Sequence, residues 1–266
     1  MRILMVGDVV GKSGRTALQE HLPQIQEAYR PDFVIVNGEN AAAGLGITPD
    51  IADSFYRIGV HVITLGNHTW NKRDIFPYLD SEPKILRPAN YPPGVPGRGY
   101  GVFPCGKETV GVISLQGRTF MDPTDDPFRA FEAIVKEIAP KCRIILVDFH
   151  AEATSEKQAF GLFADGRATA VIGTHTHIQT ADERIFSGGT AFLTDVGMTG
   201  PFHSVIGMKA EIVLERFTTL LPARFEVAEG ESQLSAVIID ADPATGKATR
   251  IERIQRPEFT KSVMSP

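Results

Sequence analysis

The sequence predicts an α/β fold on three observations. Short β-branched runs recur along most of the chain, amphipathic stretches of helical period lie between several of them, and polar residues gather where the runs end. With 266 residues, 42% of them hydrophobic and 22% charged, the chain suits one domain over residues 1–266 and excludes disordered and coiled-coil classes. Its apolar runs, such as residues 144–147, are strand-sized and far short of the ~18 residues of a membrane helix. Residues 1–6 lead straight into a charged, Gly-punctuated segment rather than a secretory leader, so no membrane association is expected and the default address is cytoplasmic. A net charge of −5 without a basic run argues against a duplex nucleic-acid binder and leaves room for a single or short nucleotide. Cys105 and Cys142 have no C-x-x-C partner and read as free thiols.

The elements follow in order. Residues 3–6 form a strand, and residues 15–29 form a helix with Leu18, Leu22 and Ile25 on one side. Strands over 33–36 and 61–65 come next, then a Pro- and Gly-dense ordered loop over 88–101. A strand over 110–115 precedes the helix Pro127–Ile138, whose Phe128, Phe131, Ile134, Val135 and Ile138 carry the helical period. Strands over 144–149, 170–172 and 191–194 complete the alternation. From about residue 210 the pattern turns strand-rich, with runs over 212–217, 234–239 and 248–254 that predict an antiparallel edge or a second sheet.

Five strands end in polar blocks: Gly7-Asp8, Gly38-Glu39-Asn40, Gly66-Asn67-His68, Asp148-Phe149-His150 and Gly173-Thr174-His175-Thr176-His177. The carboxyl ends of strands in an α/β sheet share one edge, so segments scattered over the chain can converge there. Taken singly, Asp8 reads as a turn residue, Glu39-Asn40 as a cap and His150 as a core histidine. Taken together, five such blocks at successive strand ends read as one site. Oxygen and imidazole donors without thiolate suit Mn, Fe, Zn or a mixed pair, and a Glu can bridge two cations. In extended chain, the rings of His175 and His177 point to the same side. His21, inside a helix, and His61, opening a strand, read as structural.

In order and content these blocks resemble those of the calcineurin-like metallophosphoesterases. Three features depart from the common pattern: Val10 stands where many members have a histidine, Glu39-Asn40 stands where an Asp is usual, and Thr69 follows His68. With the stretches 39–48 and 195–201, they resemble the YmdB-like bacterial branch, here over nearly the whole chain. The resemblance implies a four-layer αββα sandwich and a metal-dependent phosphodiesterase acting on 2′,3′ or 3′,5′ cyclic nucleotides by attack of a metal-bridging hydroxide. It implies two divalent or mixed-valence ions per chain, Fe or Mn before Zn, with a small phosphodiester or short RNA as partner and a homo-oligomer compatible with it.

On that resemblance Asp8, Glu39, Asn40 and His177 would hold one ion, and Glu39, Asn67, His150 and His175 the other, with Asn40 replacing the missing imidazole. His68 would be catalytic, as proton donor to the departing ribose oxygen. Gly44, Gly46 and His203 are candidates for substrate binding, Asp148 and Asp195 for fixing imidazole tautomers, and Arg73 or Arg118 for reaching the pocket. Alternative functions are a phosphomonoesterase acting on phosphoproteins and a slow-turnover regulatory nucleotide-binding protein.

Overall fold

A computed structural model describes residues 1–258. The first half supplies β1 (Arg2–Val6), β2 (Asp8–Val9), α1 (Gly11–Tyr29), β3 (Phe33–Asn37), α2 (Pro49–Arg57), β4 (Val62–Thr64), α3 (Ile75–Ser81) and β5 (Ile85–Leu86). A second run follows with β6 (Tyr100–Cys105), β7 (Glu108–Gln116), α4 (Pro127–Ile138), β8 (Ile144–His150), α5 (Thr154–Ala164) and β9 (Ala170–Thr174). The described chain closes with β10 (Arg184–Ile185), β11 (Ala191–Leu193), β12 (Met198–Pro201), α6 (Ala210–Thr219), β13 (Ser232–Ala241) and β14 (Ala248–Arg256).

These strands form two sheets, ordered β2-β12-β13-β1-β3-β4-β5 and β10-β11-β9-β8-β7-β6, with β14 also paired to β13. Strands β1, β3, β4 and β5 run parallel in the first sheet, and β7, β8, β9 and β11 in the second. All their carboxyl ends therefore point the same way within each sheet.

The two-residue period of each strand sorts its side chains into layers. From β1 and β3, Ile3, Met5, Phe33 and Ile35 pack between the sheets, while Leu4, Val6, Val34 and Val36 face Leu18, Leu22 and Phe55 of α1 and α2. In the second sheet Ile144 and Leu146 face inward, and Ile145, Val147 and Phe149 face Phe131 and Phe160 of α4 and α5. Three apolar layers thus separate four structural ones, which is the αββα sandwich. Asp148 staples the sheets from within: its Oδ2 on β8 accepts from Asn37 Nδ2 of β3 at 2.9 Å and from Thr64 Oγ1 of β4 at 2.5 Å.

Three expectations change. The stretch 212–217 is not a strand but the middle of α6. Its apolar residues Val213, Leu214 and Phe217 recur at spacings of three and four, and Thr218 and Thr219 bond back to the carbonyls of Leu214 and Glu215. Strand β13 is not at an edge either: it lies between β1 and β14, antiparallel to both. Helix α1 also begins at Gly11 rather than at residue 15, because Gly11 and Gly14 depress the helical signal of its first turn. The end of the expected 1–266 domain lies outside the described residues.

Candidate metal centre

Asp8 follows β1, Glu39 and Asn40 follow β3, and Asn67 and His68 follow β4. His150 ends β8, and His175 and His177 follow β9. The site therefore joins the carboxyl edges of both sheets. Glycine permits the close approach. A Cβ on Gly7 would lie 1.8 Å from the Gly197 carbonyl oxygen, and one on Gly66 would lie 2.4 Å from both Glu39 Oε2 and His150 Nε2.

His150 Nε2 is the hub. It lies 2.9 Å from Asn67 Oδ1, 3.0 Å from Glu39 Oε1 and 3.1 Å from His175 Nδ1. Separations near 3 Å are those of donors in adjacent positions around a cation with bonds of about 2.1 Å. Donor atoms of Glu39, His150 and His175 fall within 4.8 Å of one another. Beside this group, Asp8 Oδ1 lies 3.9 Å from both His177 Nε2 and His150 Nδ1. Asp8 Oδ1 and Asn40 Oδ1 are buried with no hydrogen-bond partner. Two orphaned buried oxygens are costly unless something electropositive sits against them. The donors thus fit divalent cations.

The surrounding bonds aim the rings. Thr174 Oγ1 donates to Asp148 Oδ1 at 2.6 Å and so accepts from His150 Nδ1 at 2.9 Å, which leaves Nε2 for the hub. His177 Nδ1 donates to the Ile206 carbonyl at 2.9 Å, turning Nε2 toward Asp8. Asn40 Nδ2 donates to the Gly44 carbonyl at 3.0 Å, which commits Oδ1 to the interior. Charge reflects the crowding. Burial pushes the Asp8 carboxyl up to about 6 against the pull of His177 and His150. Burial also opposes ionisation of Glu39, but His150 and His68 outweigh it and hold the carboxyl at about 2. Burial and the neighbouring His150 lower His175 to about 3.

The segment His175-Thr176-His177 departs from the extended chain that the spacing of its histidines predicts. His175 and His177 have φ of 95° and 66°, so a left-handed turn, not strand alternation, brings the rings to the site. Asp195 holds that turn without touching an imidazole. Its Oδ2 accepts from Thr176 N at 3.0 Å, Thr176 Oγ1 at 2.7 Å and the buried Lys157 ammonium at 2.7 Å. Asp148 likewise reaches His150 only through Thr174.

His68 donates its main-chain N–H to Glu39 Oε2 at 3.0 Å, and its ring nitrogen Nε2 lies 3.4 Å from Asn67 Nδ2. Its side chain lines a cavity of about 1610 Å³ together with Glu39, Asn40, His175 and His177. Gly44 also lines it, but its N–H already donates to the Asn40 carbonyl, so it serves Asn40 rather than an anion. Gly46 packs its α-carbon against the 68–72 loop, where a Cβ would meet Lys72 Cγ at 3.0 Å. His203 is 49% exposed beside Glu231 and does not line this cavity. Arg73 is exposed outside it, and Arg118 pairs with Asp126 at 3.1 Å. The cations that do line it are Lys12, Lys72, Arg216 and Arg224. Lys12 and Lys72, each four residues after a motif residue, carried a local signal; the arginines arrive with a segment whose strand-like composition concealed a helix. Glu152, two residues after His150, was also missed, and its Oε2 lies 3.1 Å from His175 Nε2.

A two-sheet α/β sandwich with imidazole, carboxylate and amide donors at its shared strand edge defines a metallophosphoesterase. Within that class the chain belongs to the YmdB-like protein family, whose model matches residues 4–254. It is 52% identical over 254 residues to a 2′,3′-cyclic-nucleotide 2′-phosphodiesterase of Bacillus subtilis (strain 168), covering 96% of each chain. The crystal structure of a hypothetical protein from Thermus thermophilus is similar with a TM-score of 0.90 and 43% identity, over 96% of this chain and 98% of that one. That of a phosphatase from Mycoplasma pneumoniae is similar with a TM-score of 0.91 and 36% identity, over 96% and 92%.

Proposed function

We propose that the protein is a metal-dependent phosphodiesterase that opens nucleoside cyclic phosphates, 2′,3′ before 3′,5′. The observation that carries this reading is the convergence of Asn67, Glu39 and His175 donor atoms within 3.1 Å of His150 Nε2. The name of the Bacillus subtilis relative supports the substrate class.

Asp8, Asn40 and His177 would hold one cation and Asn67, His150 and His175 the other, with Glu39 between them. When bound, two divalent cations, Fe or Mn suiting this thiolate-free donor set, would supply neutralisation of the phosphate oxygens and a water made nucleophilic near neutral pH. The nucleophile is then solvent rather than a side chain. The water oxygen bonds to phosphorus, the bond from phosphorus to the ribose oxygen breaks, and that oxygen takes a proton from His68. One proton of the attacking water passes to solvent, which returns a proton to His68, and the other stays on the new monoester. Asn67 links the two roles, with its oxygen toward His150 and its amide toward His68.

No described helix is long and apolar enough to cross a membrane. The free thiols Cys105 and Cys142 support a cytoplasmic address. Steady-state kinetics on matched pairs tests the reading: kcat/KM is expected to be higher for a nucleoside cyclic phosphate than for the corresponding monophosphate. A consistent preference for monophosphates would make the protein a phosphatase instead.

A further inference from the structure

The cavity beside the donors is larger than a mononucleotide requires. Sites for ligands of that size have volumes of about 300–1,000 Å³, whereas this one is about 1610 Å³. Its charge is also in excess. A nucleoside cyclic phosphate bears one negative charge, and the metal centre answers it. Lys12, Lys72, Arg216 and Arg224 line the remaining space with Glu226 and Glu229; Glu226 is paired with Lys209 at 2.7 Å and feels Arg224, yet none of the four cations lies within salt-bridge distance of a carboxylate among the described residues. The overall charge of −5 makes this a local concentration of cations rather than a general basic surface. The wall is apolar as well. Phe217 on α6 is 74% exposed and Leu220, just beyond it, 78%, yet both border the cavity, while Val213 is the buried residue of α6. The aromatic faces of Phe217 and the half-exposed Phe225, interleaved with these cations, make a platform on which bases stack while phosphates are neutralised.

We infer that this space takes the nucleotide preceding a terminal cyclic phosphate, so that the preferred substrate is an oligoribonucleotide ending in a 2′,3′-cyclic phosphate. The inference rests on the phosphodiesterase reading. A 2′,3′-cyclic phosphate occupies both lower hydroxyls of the last ribose, and the chain can continue only from its 5′ oxygen. The next phosphodiester is therefore the added anion, and the next base the added stacking surface. The bond made and the bond broken are those of the mononucleotide reaction, and the product is an oligonucleotide with a 3′-monoester. The reaction supplying such a substrate is transesterification of RNA by its own 2′-hydroxyl, which leaves this terminus.

The test compares adenosine 2′,3′-cyclic phosphate with the dinucleotide ApA bearing a terminal 2′,3′-cyclic phosphate, both on the metal-loaded full chain. The dinucleotide is expected to have a kcat/KM at least about tenfold higher, carried mainly by KM and shrinking as potassium chloride is raised. The paired substitution Arg216→Gln and Arg224→Gln should bring the ratio of the two substrates toward one. Each preparation carries the mononucleotide as its own reference, so a general loss of folded enzyme cancels. A wild-type ratio near one, or an advantage that survives both substitutions and high salt, would overturn the inference and leave the phosphodiesterase reading intact. Turnover of neither substrate would overturn both.

Discussion

In the proposed centre His68 would serve chemistry and Asn40 affinity. His68 borders the cavity, and its bond to Glu39 comes from the main chain, so His68→Ala leaves that bond in place. The variant is expected to retain its metals and to lose roughly a hundredfold in turnover of an alkyl diester, the size of a positioned proton transfer. A nitrophenyl diester, whose leaving group needs no proton, should lose much less. Equal losses on the two substrates would assign His68 to charge stabilisation. Asn40→Ala removes an oxygen that is buried without a partner, together with the amide that ties it to Gly44. Metal titration should show one of two positions weakened by more than about tenfold, and unchanged affinity would take Asn40 out of the centre. The residues that the fold brings together were legible in sequence because they sit in five short polar blocks at strand ends. Gly44 and His203 were not: a glycine's partner and a loop histidine's direction depend on chain that is distant in sequence.

At the scale of elements, the turn carrying His175 and His177 depends on a buried ion pair between α5 and the segment after β11. Lys157 and Asp195 are 1% and 0% exposed, and their contact is 2.7 Å. Lys157→Met breaks the pair and leaves Asp195 with Thr176 and Gly197 as partners. Removing one member of such a pair costs about 3–5 kcal/mol, and denaturant unfolding should show it. Metal affinity should fall with it, whereas a variant as stable and as metal-loaded as wild type would separate the pair from the site. Val10 belongs to this scale too. Val10 is fully buried, and Gly200 and Gly207 pack beside it so closely that a Cβ on either would lie 3.2 or 2.9 Å from Val10 atoms, so the larger ring of a histidine would crowd them. Val10→His is therefore expected to destabilise the fold rather than to add a ligand. The buried strands were readable as short continuous apolar runs, because both of their faces are covered, and Pro127–Ile138 from its helical period, because one of its faces is buried. Helix α6 was not, since its mostly exposed surface imposes no such pattern, and the place of β13 between β1 and β14 depends on pairing that no local run encodes.

The whole molecule is two sheets joined beneath a common edge by the Asp148 staple and above it by the donors themselves. Asp8, Glu39, Asn40 and Asn67 come from the first sheet, and His150, His175 and His177 from the second. A cation bound between them stabilises the folded state alone, by about 4 kcal/mol at a thousandfold excess over its dissociation constant. Chelation should then lower the melting temperature by roughly 10 °C, reversed by adding metal back. A melting point indifferent to chelator would mean that the donors do not tie the sheets together.

The proposed dinuclear centre spans both sheets and opens a cyclic diester. Its most direct measurement is a titration of metal-stripped protein with Mn, following turnover of a nucleoside 2′,3′-cyclic phosphate against metal equivalents per chain. Negligible turnover is expected without metal, followed by a rise that saturates at two equivalents. Saturation at one equivalent, or full turnover by metal-free protein, would contradict it.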